Sequence, residues 1–314
     1  LAVLSEHGEP SMLSDEETRL ALRTAIDAAA ATKVMLAGVF RDSVRETLAL
    51  ADAAASFGSD AVLVAQPSFL RTAGQPRRFR ELLTYFQTVA DRSAIPLVLS
   101  SAARDKVFPA EIVAELASHP RIIGLVEGPL AADRVATLQQ ATAAVKYEVT
   151  VTPVFAAVTG RMLARHTAPP AGAMLSADKL TGGGTAVAAA PPAVAIKTRT
   201  KIVGFQILAG NTAQMLEALV AGAVGVMPPF AACAPQACYE VVAAWKDGDL
   251  GLAEEKQARL QDAASRMEQE LGVSAIKFGC DLNGYFGGLA RLPLLPLTGP
   301  EREEIEMLMH SLRS

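Results

Sequence analysis

The sequence predicts a parallel α/β fold of the (β/α)8 barrel type, with a C-terminal helical appendage and an insertion between the sixth and seventh strands. Three observations carry this. Short runs rich in Val, Ile and Leu recur between longer amphipathic segments, the pattern of strands buried on both faces. The first four runs after Leu1–Ser5 start at positions 33, 60, 95 and 121, intervals of 27, 35 and 26 residues, near the ~30 per unit of a barrel of about 250 residues. The 314 residues, 51% hydrophobic and 20% charged, suffice to bury one such core.

Taken in order, Leu1–Ser5 reads as the second barrel strand, which leaves the first βα unit unaccounted for. The gene product is therefore expected to extend upstream by roughly 30 to 45 residues. Ser14 heads SDEETRLALRTAIDAAA and Ser43 heads SVRETLALADAAASFG, both with early carboxylates suited to a helix start. PAEIVAELASHP from Pro109 opens on a proline, which the first helical turn tolerates. Strands are expected at Lys33–Val39, Asp60–Gln66, Ile95–Ser100, Arg121–Glu127, Val203–Gly210 and Ala223–Pro228. The rhythm breaks between Val126 and Gly210, 84 positions apart, where one unit uses roughly 30. KYEVTVTPVF from Lys146 and AIKTRTKIV from Ala195 alternate like strands, so residues 146–201 read as a projecting hairpin with an Ala, Gly and Pro-rich tip. Helices follow at Pro235–Trp245, Leu250–Glu270 and Pro300–Leu312. The barrel is thus expected over 1–248 and the helical region over 249–314.

Composition narrows the functional classes. A net charge of −4 gives no basic field to hold a polyanion, so nucleic acid is an unfavourable partner. Ala218–Pro235 is broken by Gly222, Gly225, Pro228 and Pro229 and reads as helix end, strand and turn rather than a membrane span. Three cysteines, Cys233, Cys238 and Cys280, form no disulfide framework or zinc motif, and a reducing, cytoplasmic setting is expected. Gly182-Gly183-Gly184 lacks the context of a phosphate loop. Neither a cofactor nor a metal is expected.

A barrel carries its chemistry at the C-terminal ends of its strands. The blocks there, in order, are SEHGEPSMLSDEE from Ser5, GSDAVLVAQPSF from Gly58, IPLVLSS from Ile95, IIGLVE from Ile122, ILAGN from Ile207, GAVGVMPP from Gly222 and AIKFGCDLNGYFGGLARLPLLPLT from Ala275. Together they resemble the dihydrodipicolinate synthase and N-acetylneuraminate lyase family. The resemblance implies a (β/α)8 barrel with a C-terminal helical region, a dimer or tetramer, and lyase or aldolase chemistry on pyruvate or a related 2-oxo acid through a lysine imine.

The residues that the resemblance places at the reacting centre differ from that pattern. In Gly124-Leu125-Val126-Glu127 the imine lysine is replaced by Val126. The relay tyrosine becomes Ser100, followed by Ser101, and the two carboxylate-binding threonines of the loop after the second strand become Glu6 and His7, with Gly8 and Glu9 kept. Ser68 and Phe69 stand where paired aromatic hydroxyls are expected. Valine cannot form an imine. Of the other lysines, Lys33, Lys146 and Lys201 precede strands, Lys246, Lys256 and Lys277 lie on late helical segments, and Lys106 alone falls at the correct face, in a loop without the dry pocket that lowers an amine's pKa.

What remains is acid/base chemistry by Glu6, His7, Ser100 or Glu127. His7 reads equally as a general base and as a histidine bonding its own loop. Glu9 reads as an acceptor for backbone N–H groups. The resemblance adds Arg104 and Ser101 as carboxylate donors and Gly8, Gly210, Asn211 and Met227 as lining. The expected ligand is a small carboxylic or 2-oxo acid; the alternative is a catalytically inactive metabolite-binding barrel.

Overall fold

The computed structural model describes residues 1–70, 76–101, 107–128, 130–154, 156–167 and 197–312. Arg104, Lys106 and Gly182-Gly183-Gly184 lie outside them. The chain runs β1 (Ala2–Val3), α1 (Asp15–Ala28), β2 (Leu36–Gly38), α2 (Val44–Phe57), β3 (Ala61–Ala65), α3 (Pro76–Arg92), β4 (Leu97–Ser101), α4 (Ala110–Ala117), β5 (Ile122–Glu127) and α5 (Ala132–Ala141). It continues through β6 (Tyr147–Val151), α6 (Gly160–Thr167), β7 (Arg199–Val203), β8 (Gln206–Ala209), α7 (Met215–Val220), β9 (Gly225–Val226), α8 (Pro235–Lys246), α9 (Leu250–Ala264), α10 (Val273–Leu282) and α11 (Gly299–Met309).

The expected helix caps form. Ser14 accepts the Glu17 amide while the Glu17 carboxylate receives the Ser14 amide, a reciprocal box at the head of α1. Ser43 accepts from Glu46 at the head of α2, and Gly58 ends that helix at φ 98°, a left-handed conformation that glycine adopts without strain.

Among the described residues the main sheet has seven parallel strands in the order β1-β2-β3-β4-β5-β8-β9, curled as a half-barrel with helices packed outside it. This is the TIM-barrel-like architecture expected, followed by the C-terminal helices. The alternation of side chains along each strand is read directly from burial. Val62, Val64, Leu97, Leu99 and Leu125 join the large core under the helices, whereas Ala61, Leu63, Val98 and Val126 gather in a second apolar cluster with Phe40, Leu208 and Met227. That second cluster fills the concave side of the sheet.

Several strands are shorter than the sequence reading, β2 (Leu36–Gly38) and β9 (Gly225–Val226) among them, and two elements differ in kind. The run Val203–Gly210 is divided: Val203 ends β7, and β8 starts only at Gln206, past Gly204. The expected Leu250–Glu270 helix turns π-helical over Ser265–Leu271.

Between β5 and β8, β6 and β7 pair antiparallel from Tyr147↔Val203 to Val151↔Arg199. This segment fastens onto the N-terminal face of the sheet. The Tyr147 hydroxyl donates to the carbonyls of Ala117 and Ile122 at 3.1 and 2.9 Å, at the entrance to β5. The Thr159 hydroxyl donates to Ala31 O at 2.6 Å, and Arg161 donates to the carbonyls of Ala29 and Lys33, ahead of β2.

Candidate functional site

At the C-terminal end of β1 the backbone leaves ordinary conformations. Leu4 and Glu9, on either side of the 3-10 turn Glu6–Gly8, both have positive φ, 57° and 55°. Such residues persist only where their surroundings impose the geometry. Gly38 supplies part of that imposition, because a Cβ there would lie 1.8 Å from the Leu4 carbonyl oxygen. Glu9 supplies the rest. It accepts the Arg291 amide at 2.6 Å and the Lys277 ammonium at 2.7 Å. Burial alone would raise its pKa, but the Lys277 ammonium and the Arg291 amide and guanidinium outweigh that and hold it below the usual carboxylate range. Arg291 also grips Glu17 at 2.6 and 3.1 Å. Glu9 is therefore an acceptor for backbone N–H as expected, although its donor comes from the C-terminal segment rather than its own loop.

A cavity of about 560 Å³ opens beside this turn, lined in part by Glu6, Asp15, Phe40, Arg41, Asp42 and Ser68. Arg41 binds Asp15 at 2.8 Å and the Phe40 carbonyl at 2.8 Å, and Asp42 accepts the amide and hydroxyl of Ser68, so three loops are tied together at its rim. His7 sits half-buried in the turn.

The strand ends opposite sort by parity. Ser100 pairs in register with Ala65 on one side and Val126 on the other, so these side chains share the concave face. Val126 is fully buried, and its Cγ1 lies 2.9 Å from where a Cβ on Gly210 would stand, so glycine at 210 makes room for it. Met227 belongs to the same apolar cluster. Ser100 and Ser101 are 1% and 0% exposed, and among the described residues their hydroxyls have no hydrogen-bond partner.

Ser101 and Glu127 share the opposite parity with Leu125, toward the helices. Glu127, wholly buried, accepts two bonds from the Arg134 guanidinium at 2.6 and 2.9 Å, and Arg134 also donates to the Phe108 carbonyl at 2.6 Å. The structure thus brings Ser100, Val126, Gly210 and Met227 together, sets Glu6 at the neighbouring cavity, and gives Glu127 an ionic partner away from the concave side. Asn211 caps its own turn by accepting the Gln214 amide at 3.2 Å.

Arg134 and Arg291 escaped sequence reasoning because each acts on a residue brought to it by folding. Arg291 lies 282 positions from Glu9. Arg134, seven residues past Glu127, carried the one available signal, a cation in the first turns of the next helix.

A sequence model of the dihydrodipicolinate synthetase family matches residues 1–152 and 187–312. The chain belongs to this family. Among curated members of the dihydrodipicolinate synthetase family, the 4-hydroxy-tetrahydrodipicolinate synthase of Acidiphilium cryptum is 26% identical over 307 residues, covering 97% of this chain and 83% of that protein. The enzyme of the same name from Mycolicibacterium paratuberculosis is 25% identical over 316 residues, covering 100% and 82%. In fold, the chain is similar to YagE, a prophage protein of the family from E. coli K12 solved in complex with pyruvate, with a TM-score of 0.72 at 21% identity over 99% of this chain and 86% of that one. A monomeric dihydrodipicolinate synthase variant gives 0.72 at 19% identity, covering 99% and 85%. Among the described residues no helix is long and apolar enough to cross a membrane.

Proposed function

We propose that this family member binds a small carboxylic or 2-oxo acid at the C-terminal mouth of its barrel and does so without a lysine imine. The observation that carries this is Val126, a fully buried valine in the apolar cluster, with Gly210 fitted against it. An imine needs a nucleophilic amine in a dry pocket. Among the described residues Lys33, Lys146, Lys197, Lys201 and Lys246 are exposed, while Lys256 and Lys277 are ion-paired with Glu240 and Glu9.

If the barrel is catalytic, its chemistry is of the carbon–carbon lyase type, and its acid/base groups are drawn from Glu6, His7 and Ser100, with Glu127 engaged by Arg134. Gly8, Gly210, Asn211 and Met227 complete the proposed lining, whereas Ser101, on the helix-facing parity of β4, is set aside as a carboxylate donor. Arg104 is proposed as the carboxylate fork, and Arg104→Ala should weaken acid binding by roughly 1.5 to 3 kcal/mol. The engagement of Glu127 also favours a second reading, a metabolite-binding barrel without turnover. Exposed Phe286, Leu289, Leu292 and Leu295 on one C-terminal stretch support self-association as a dimer or tetramer, and a cytoplasmic setting is proposed from the free cysteines.

Because YagE is described with pyruvate, pyruvate is the first probe. Incubation with pyruvate and borohydride should leave the intact mass unchanged; a stoichiometric adduct on any lysine, Lys106 included, would overturn the proposal. Calorimetry with short acids then separates binding from none.

A further inference from the structure

Behind the proposed mouth lies a carboxylate that the site itself does not use. Glu268 sits in the π-helical stretch Ser265–Leu271, a geometry scarce in proteins and frequent at functional sites. Its side chain reaches out of the C-terminal helical region to two loops at once. It accepts the Thr212 amide at 3.2 Å, the Thr212 hydroxyl, and the Phe230 amide at 2.8 Å. Both partners are fully buried. Gln257 of α9 reinforces the grip by donating to the Thr212 carbonyl at 3.0 Å.

Each gripped residue stands next to a mouth residue. Thr212 follows Asn211 directly. Phe230 is joined to Met227 through Pro228 and Pro229, whose rings fix φ and leave little slack between the held amide and the methionine. Met227 in turn donates its own amide to Ala209 at 2.7 Å and packs beside Val126. A shift of the carboxylate is therefore transmitted to Met227 through a stiff, short lever.

We propose that Glu268 is a positioning residue of the mouth: its carboxylate sets the loops after β8 and β9 and thereby the placement of Asn211 and Met227. The proposal rests on reading those two as mouth residues. Charge on Glu268 matters to this grip, because a carboxylate accepts N–H bonds more strongly than a neutral acid. Burial raises its pKa, against the opposing pull of the Thr212 and Phe230 donors, so the change of charge falls above the ordinary 4.5. Among the described residues the titratable groups facing it are the thiols of Cys233 and Cys238, on the turn before α8 and on α8 itself, both pushed up by burial, Cys238 to about 12, and so neutral throughout the acid range.

The test is an NMR pH titration of the full chain without added ligand, labelled at methionine methyls and at nitrogen. The resonances of the Thr212 and Phe230 amides, the Met227 methyl and the Asn211 side-chain amide should move together through one transition above 4.5. Glu268→Gln should abolish that transition at all four, and Glu268→Asp should keep it with a displaced midpoint. If Met227 and Asn211 stay fixed while Thr212 and Phe230 titrate, Glu268 only fastens the helical region and the proposal fails. A transition that survives in Glu268→Gln refutes it as well. Should Glu268→Gln fail to fold, the wild-type co-titration and Glu268→Asp decide. No acid is added, so a failure here is distinct from a failure to bind pyruvate.

Discussion

Replacing Arg134 by alanine is the severest test of how the end of β5 is held. The Glu127 carboxylate has no exposure, and Arg134 itself is only 19% exposed at its side chain, so the pair is shielded from solvent on both sides. Arg134→Ala removes two charge-assisted bonds to Glu127 and the donor to the Phe108 carbonyl. It strands a carboxylate in the helix-facing core. Breaking such a pair costs about 3–5 kcal/mol, several times the value of a surface ion pair. Exchanging both members for apolar residues, Arg134→Met with Glu127→Leu, removes the stranded charge and should recover at least half of the loss. Denaturant unfolding of the wild type, Arg134→Met, Glu127→Leu and the double variant, with slopes compared to check that the transitions are equivalent, yields the coupling between the two positions. A single-variant cost below about 1 kcal/mol, or additive losses in the double variant, would refute the buried-pair account.

Gly210→Ala should destabilise by about 1–3 kcal/mol through overpacking, since the new Cβ would meet Val126 Cγ1 at 2.9 Å and the Glu127 backbone at 3.3 Å; adding Val126→Ala should relieve it, as read by thermal melting. Glu9 titrates below its ordinary 4.5 in the folded chain, so its contribution is present above that value and is lost as the pH falls through the folded pKa. Glu9→Gln should flatten the acid limb of a stability-against-pH curve. Arg161→Ala removes the donors to Ala29 and Lys33 and should cost about 1–3 kcal/mol, measured as a lower Tm.

Much of the fold is local and therefore visible in the chain. The caps at Ser14 and Ser43 are decided within four residues, and the doubly buried strands show as unbroken apolar runs. Val203 reads with the following strand because an apolar residue ending β7 lies close before the start of β8, and periodicity carries no mark of the break at Gly204. The candidate site was readable in the sequence as a set of strand ends, but not as a set of facing partners. Strand-end location singled out Ser100, Val126 and Glu127 as candidates; only the register shows that Ser100 and Val126 share the concave face while Glu127 points the other way. Partners supplied by folding, such as Arg134 for Glu127 and Thr212 and Phe230 for Glu268, leave no spacing in the sequence to read.

The tie from Tyr147 to Thr159 and Arg161 has a mechanical meaning. The sheet's own pairing connects β2 to β5 only through β3 and β4. Bonds at the entrance of β5 and ahead of β2 make the inserted segment a chord across that arc, as a string sets the bend of a bow. Because the chord crosses the end of the barrel away from the proposed mouth, a change in its length or sequence acts on the curvature of the strands without replacing any proposed lining residue.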